Sequence, residues 1–371
     1  MKKQKIMLLA NDTTYAYNLR REVIQKLVEE NFDVAVVCAP RLLQEELKAL
    51  GCRVISVETG RKGTNPFADL TLFAKYLKIL HQEKPDAVLS YNIKPNVYGG
   101  MACQVLGIRY MPNITGLGTA VETPGKLQML TTRLYKMGVA GAECVFFQNS
   151  ENEKFFRDRK MLNRKSKTVL LPGSGVSLEK HQAKPYPQGD TVNFLYIARM
   201  MKEKGIDLYL AAAKEIHDQY PNTMFHICGG CDDPKYLEIV KEAEANGYIR
   251  YHGEQENMIP FFEMAHCIVH PSYYPEGMSN VLLEAAASAR PIIATDRSGC
   301  RETVDADVTG YVIPVKDEAA LVTAIDKFLN LSWEEQRDMG LAGRKKIEKE
   351  FDRKIVVRMV INQLKGEVPV E

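Results

Sequence analysis

Short apolar runs alternate with longer amphipathic stretches along almost all of the 371 residues. Runs rich in Val, Ile, Leu and Phe at about 5–10, 33–38, 53–57, 86–90, 109–114, 143–147 and 167–171 predict strands, because buried parallel strands read as continuous apolar segments. Between them, apolar positions recur at helical spacing, for example over 18–30, 67–81, 125–139 and 151–159. Alternation of this kind implies right-handed crossovers and a parallel, doubly wound sheet. A polar stretch with two prolines at 180–190 reads as a hinge, after which the pattern restarts. Strands are expected there at about 192–197, 223–228, 249–252, 267–270, 291–294 and 310–313. The predicted architecture is α/β: two Rossmann-like, doubly wound parallel-sheet domains, 1–185 and 186–345, facing across a cleft. A last helical stretch, 346–365, follows a complete second sheet and is expected to pack back on the first domain. Ligands in such sheets bind beyond the carboxyl ends of the strands.

Composition narrows the classes. Hydrophobic residues at 45% and charged residues at 26% are ordinary for a globular protein and exclude a disordered chain. The longest charge-free run, 95–108, is shorter than the roughly 18 residues a spanning helix needs. The apolar residues 6–10 are too few for a signal peptide, so a cytoplasmic location is expected. The net charge of +2 hides an asymmetry: residues 1–180 carry 27 Lys+Arg against 17 Asp+Glu, and residues 181–371 carry 22 against 30. Halves of opposite sign argue against nucleic acid as the partner. They fit either two domains with different partners, one anionic, or charges that hold the halves together. The eight cysteines form no spaced framework, and Cys228-Gly-Gly-Cys231 has no second pair to complete a zinc site. No metal is expected. Asp305-Ala-Asp307 has the spelling of a metal-binding DxD but follows a helical stretch and reads as structural.

The first strand leads into Asn-Asp-Thr-Thr at 11–14 rather than GxGxxG, and neither GxxxxGK[ST] nor GxSxG occurs. Hydride transfer on a dinucleotide, phosphoryl transfer on a P-loop and nucleophile-elbow hydrolysis are therefore disfavoured. Chemistry concentrates in PSYYPEGMSNVLLE at 271–284, which is predicted to open a helix at 277–279. Free backbone N–H groups at such a helix start favour a phosphate. Glu276 and Glu284, eight residues apart, would lie about 12 Å apart on one helical face. They either hold two ends of one polar ligand, or are an acid favouring the helix dipole and a solvent-facing Glu. In ARMMKEKG at 198–205, Arg199 and Lys204 project toward the same strand ends and suit a diphosphate, although a solvated basic loop would read alike.

Together these segments resemble the retaining nucleotide-sugar glycosyltransferases of family 4, which have the GT-B fold. The resemblance runs through ARMMKEKG, FHICGG at 225–230, His252-Gly253, Pro271-Ser272, EGMSNVLLEA at 276–285, PIIATD at 291–296, GCRE at 299–302 and Gly310-Tyr-Val. It implies catalytic roles for Arg199 and Lys204, on the donor diphosphate, and for Glu276, on the donor sugar. It places Glu284 on the ribose, backbone near Glu254 on the base, and Gly277, Met278, Ser279, Asn280 and Val281 around the phosphate and sugar. The first half is similar to enzymes that add galactose or N-acetylgalactosamine to polyprenyl-diphosphate-linked saccharides, through NPF at 65–67, KPNVYG at 94–99 and GLG at 116–118. Thr14, Asn18, Lys94, Asn96, Tyr98, Thr115 and Gly116 would form the acceptor side. It departs from many relatives in lacking a Gly-rich first loop, in having Ile114-Thr115-Gly116 where a His is common, and in Met278 where Phe is common. The implied reaction moves a hexose or N-acetylhexosamine from a UDP-sugar to a lipid-linked saccharide, with no metal or other cofactor. Arg20, Arg21, Arg61, Lys62, Lys94, Lys126, Arg133 and Lys136 would face an anionic acceptor and the inner membrane surface. The 125–139 segment, with Leu127, Leu130, Leu134 and Met137 at helical spacing, suits either that surface or packing on its own sheet. The rival readings are a GT-B-fold nucleotide-sugar epimerase and a non-catalytic carbohydrate-binding relative.

Overall fold

The computed structural model describes residues 3–58, 66–122, 124–163, 166–231 and 233–367, and the chain divides into two compact units. The first holds seven parallel strands: β1 (Lys5–Asp12), β2 (Asp33–Ala39), β3 (Arg53–Ser56), β4 (Ala87–Tyr91), β5 (Arg109–Ile114), β6 (Cys144–Phe147) and β7 (Lys167–Leu170). Their order across the sheet is β3-β2-β1-β4-β5-β6-β7. The second holds six: β8 (Val192–Ile197), β9 (Thr223–Cys228), β10 (Ile249–Tyr251), β11 (Cys267–His270), β12 (Ile292–Thr295) and β13 (Gly310–Ile313). These run in the order β10-β9-β8-β11-β12-β13, again all parallel. In each sheet the order reverses beside the first strand, between β1 and β4 and between β8 and β11. Such a switch point opens a crevice at the strand ends.

Helices cover both faces of the first sheet, and two clusters of buried residues lie on its opposite sides. Ile6, Leu8, Val34 and Val36 point into one, while Met7, Leu9, Ala35 and Val37 point into the other, as the two-residue strand period requires. Helix Thr13–Glu29 starts immediately after β1, with Asp12 as its cap, so the segment expected at 18–30 begins five residues earlier. The carboxylate of Asp12 accepts the Tyr15 N–H at 2.8 Å.

The division between units falls at Ser174/Gly175 rather than at 185/186. The stretch expected as a hinge is packed on the second unit. Tyr186 is buried with its hydroxyl 3.0 Å from the His266 carbonyl, and Arg290 and Trp333 donate to the carbonyls of Pro185 and Pro187 at 2.7 Å. The last helical stretch is not continuous either. Helix Trp333–Glu350 belongs to the second unit, and the chain then extends so that Asp352 bridges to Val176. Helix Arg353–Lys365 belongs to the first unit. There Val356, Val360, Ile361 and Leu364 enter the core, and Arg353 donates to the Asn18 carbonyl and to Glu22 at 3.0 Å. Residues Glu276–Met278 also belong to the first unit by their contacts.

Candidate active site

The carboxyl edge of the second sheet gathers the loops that the sequence singles out. After β8 the chain runs through Arg199 into a single 3-10 turn, Lys202–Lys204, before helix Ile206–Gln219. The Tyr196 hydroxyl, reaching up from β8, lies 3.2 Å from the carbonyls of both Arg199 and Lys204 and shapes this loop from below. Gly205 allows the approach on two counts: its φ is +76°, and a Cβ would strike the Pro271 carbonyl after β11. Tyr273 N–H donates to the Glu203 carbonyl at 2.9 Å, joining the same two loops. The loops after β9 and β10 are tied in similarly, by Met200 N–H to the Gly230 carbonyl at 2.9 Å and Gly229 N–H to the Gly253 carbonyl at 2.8 Å.

Arg199 is exposed, whereas the Lys204 ammonium is shielded and sits 4.8 Å from the centre of the Tyr274 ring. Burial, reinforced by the charge of Arg199, lowers the Lys204 pKa to about 8. A cation held this way gains most from an incoming anion that replaces its lost hydration. Beside it, His270 at the end of β11 is fully buried with no hydrogen-bond partner on either ring nitrogen. Burial first, and then the Lys204 charge, hold it neutral at a pKa of about 3.

Helix Asn280–Ala287 starts just after the expected 277–279, with Ser279 as its cap residue. Glu276 therefore precedes the helix, and the helical-rise distance between Glu276 and Glu284 does not apply. The Ser279 N–H donates to the Gly299 carbonyl at 2.7 Å and so is not available to a phosphate. Asn280 and Val281 occupy the first turn, where N–H groups have no helical carbonyl ahead of them. Glu284 is half-buried rather than solvent-facing, with a carboxylate oxygen 3.9 Å from Nε2 of the buried His181. Arg344 donates to the His181 and Ala287 carbonyls at 2.6 Å and fixes that neighbourhood. Met278 is buried and Glu254 is exposed.

Within the first unit, Asn149 Nδ2 donates to the carbonyls of Glu276, at 3.1 Å, and Gly277, at 2.6 Å. A Cβ on Gly277 would lie 2.5 Å from both Gln148 Oε1 and the Thr115 carbonyl, so only glycine fits there. Gln148, Asn149 and His181 carried no signal for these contacts in the sequence, because their partners are distant along the chain, and neither did the buried His270.

The expected acceptor residues are not alike. Thr115 and Gly116 are half-buried at the end of β5. Lys94 Nζ lies 3.0 Å from the Asp69 carboxylate, and Tyr98, whose hydroxyl is raised above its usual pKa by burial first and then by a hydrogen bond to Asp69, joins the same cluster. Asn96 is buried, accepting from Ser90 at 2.6 Å and donating to the Asn113 carbonyl at 2.8 Å. The Thr14 hydroxyl donates to the Leu42 carbonyl at 3.1 Å, and Asn18 is exposed. Among the basic residues expected to face an anionic surface, Arg20 does not: it is 1% exposed, over the Tyr91 ring at 4.2 Å and bonded to Tyr15 and Ser174. Arg61, Lys62 and Asn65 of the NPF motif lie outside the described residues. In Asp305-Ala-Asp307, Asp305 pairs with Lys346 at 2.9 Å and Asp307 with Lys327 at 2.5 Å.

Two family models match, "Glycosyl transferases group 1" over residues 178–346 and "Glycosyl transferase 4-like" over residues 5–149. Between them they span both units. The chain belongs to the family 4 glycosyltransferases of the GT-B fold. A curated relative of this glycosyltransferase is the N,N'-diacetylbacillosaminyl-diphospho-undecaprenol alpha-1,3-N-acetylgalactosaminyltransferase of Campylobacter jejuni, 25% identical over 88% of this chain and 89% of its own. The capsular polysaccharide biosynthesis glycosyltransferase CapM of Staphylococcus aureus is 27% identical over 96% of this chain and 95% of its own. Among solved structures, a glycosyltransferase from Rickettsia africae matches with a TM-score of 0.77 at 16% identity, covering 99% of each chain. Anabaena HepE in complex with UDP-glucose matches with a TM-score of 0.78 at 15% identity, covering 98% of this chain and 99% of its own. At these identities the structures establish the fold alone.

Proposed function

We propose that this glycosyltransferase moves a hexose or N-acetylhexosamine, of the galactose or N-acetylgalactosamine type, from a UDP-sugar to a hydroxyl of a polyprenyl-diphosphate-linked saccharide, with retained anomeric configuration. The observation that carries the donor half is the shielded Lys204 ammonium beside Arg199 at the carboxyl edge of the second sheet. Breaking the sugar–phosphate bond builds negative charge on the diphosphate and positive charge on the anomeric carbon. Arg199, Lys204 and the first-turn N–H groups of Asn280 and Val281 meet the negative charge, in surroundings where burial strengthens each interaction. Glu276 holds the sugar and Glu284 the ribose. With the charge met in this way, the reaction runs without a metal or a resident cofactor. The departing phosphate oxygen takes the acceptor proton, so no strong base is assigned.

The acceptor half rests on the Campylobacter relative, whose name describes a diphospho-undecaprenol substrate. Lys94 and Tyr98 with Asp69, together with Thr115 and Gly116, are the first-unit groups assigned to it. Helix Lys126–Val139 supports peripheral association with an anionic membrane surface. Leu127, Met129, Leu130 and Met137 are about half-exposed, and Lys126, Arg133 and Lys136 are exposed beside them. The helix buries only Tyr135, Gly138 and Val139, so most of its apolar face is not spent on the sheet.

The test is incubation with UDP-sugars and a polyprenyl-diphosphate saccharide, read by product mass and the anomeric coupling in proton NMR. One added sugar, configuration retained and rate unchanged by EDTA is the expected result. Lys204→Ala should lower the rate by about 10²–10³-fold, the loss typical of one charge-stabilising group. Full activity in Lys204→Ala or Glu276→Ala, or an inverted product, would overturn the assignment.

A further inference from the structure

A chain of side chains with a fixed hydrogen-bond direction crosses the second sheet and ends on the turn after β10. Asn193, in β8, donates from Nδ2 to the Met264 carbonyl at 3.2 Å, which turns its Oδ1 toward β9. There His226 Nε2 lies 3.1 Å from Asn193 Oδ1, and His226 Nδ1 lies 2.9 Å from His252 Nε2. An amide oxygen only accepts, so His226 Nε2 must carry the proton. The neutral His226 ring then offers Nδ1 as an acceptor, and His252 must be the donor through Nε2. The two imidazoles are tilted by only 13° with centroids 5.2 Å apart, the geometry of an in-plane hydrogen bond rather than a face-to-face stack. Burial, and the positive charges that His252 and Arg250 would add, hold His226 neutral with a pKa of about 4, so the direction persists at neutral pH.

The far end of this chain is well placed. His252 is also packed edge-on by Phe261 at 4.9 Å, and its carbonyl accepts from the Gln255 amide. Its neighbour Gly253 is tied to Gly229, and a Cβ on Gly230 would sit 3.4 Å from the Glu254 carboxylate. Residues 252–254 are thus held from beneath by His226 and from the side by the loop after β9.

We infer that His226 is a positioning residue for the base end of the nucleotide donor, acting through His252 on the turn that carries Gly253 and Glu254. This rests on the UDP-sugar reading above. His226 itself is 6% exposed and touches no substrate. The prediction that separates it from a general packing role concerns which end of the donor it affects. UDP spans base and phosphate ends, whereas inorganic pyrophosphate reports only the phosphate end near Arg199 and Lys204.

The experiment is calorimetric titration of UDP and of inorganic pyrophosphate into wild type, His226→Leu and His226→Asn. Asn places an acceptor oxygen where His226 holds Nδ1, so it keeps the bond from His252. His226→Leu should weaken UDP by about three- to tenfold, the worth of one lost hydrogen bond. It should leave pyrophosphate within about twofold, and His226→Asn should recover most of the UDP affinity. In wild type, nitrogen-15 shifts should show both His226 and His252 protonated on Nε2. That measurement needs no variant to fold. An Nδ1–H tautomer at either ring, an unchanged UDP affinity in His226→Leu, or equal losses for UDP and pyrophosphate would overturn the inference while leaving the donor site standing. Failure of wild type to bind UDP at all would overturn both.

Discussion

Lys204 keeps a positive charge where water cannot fully solvate it, and the consequence is a pH dependence with a definite sign. Its pKa, lowered by burial from the usual lysine range to about 8, means that the free protein loses this charge as pH rises through 8. A bound diphosphate favours the charged form and raises that pKa again. UDP affinity should therefore fall as pH rises from 7 toward 9, and binding near pH 8.5 should take up a proton. Calorimetry in buffers of different ionisation enthalpy reads that uptake directly. Lys204→Arg, whose guanidinium stays charged, should flatten the profile. An affinity that stays constant across this range would show that Lys204 does not meet the diphosphate. At this scale the sequence was only partly legible. Arg199, Lys204, Glu276 and Glu284 stood out by type and spacing, whereas His226, His181 and Asn149 matter through partners 26 to 128 residues away, which no local pattern reveals.

The elements follow from local rules where the chain is buried on both sides. All thirteen strands of the described residues lie where apolar runs predict them, because a parallel strand covered by helices on each face needs apolar residues throughout. Boundaries went astray where tertiary contacts decide them. The Ser279 N–H bonded to Gly299 delays the start of helix Asn280–Ala287, and the Val176 bridge to Asp352 breaks what reads as one terminal helix. Helix Lys126–Val139 shows the same dependence. It crosses the π-helical segment Pro95–Gly99 at Gly138, where a Cβ would lie 2.6 Å from the Val97 Cα and 2.8 Å from the Asn96 carbonyl. Gly100 meets the Gly138 carbonyl from the other side. Gly138→Ala should force these backbones apart and cost about 1–3 kcal/mol, the usual range for overpacking, read as a lower urea midpoint. An unchanged midpoint would mean that the crossing is looser than described.

Over the whole molecule, the excess of positive charge in residues 1–180 is not one surface. Arg20 is buried, Lys94 pairs with Asp69, and Arg21 pairs with Glu22 at 3.1 Å. Helix Lys126–Val139 keeps basic residues exposed beside exposed apolar ones and carries no acidic residue. Among the described residues no helix is long and apolar enough to cross a membrane. Sedimentation with vesicles containing anionic lipid should show binding at low salt that weakens at high salt, and the double variant Leu130→Glu/Arg133→Glu should abolish it. Equal sedimentation of that variant would assign the interaction elsewhere. The central claim, that the carboxyl edge of the second sheet holds the nucleotide, is tested most directly by hydrogen–deuterium exchange with and without UDP. The expected result is slowed exchange in peptides covering 198–205, 252–254 and 279–284, with the rest of the second unit little changed. Protection absent from all three segments, with UDP bound, would contradict it.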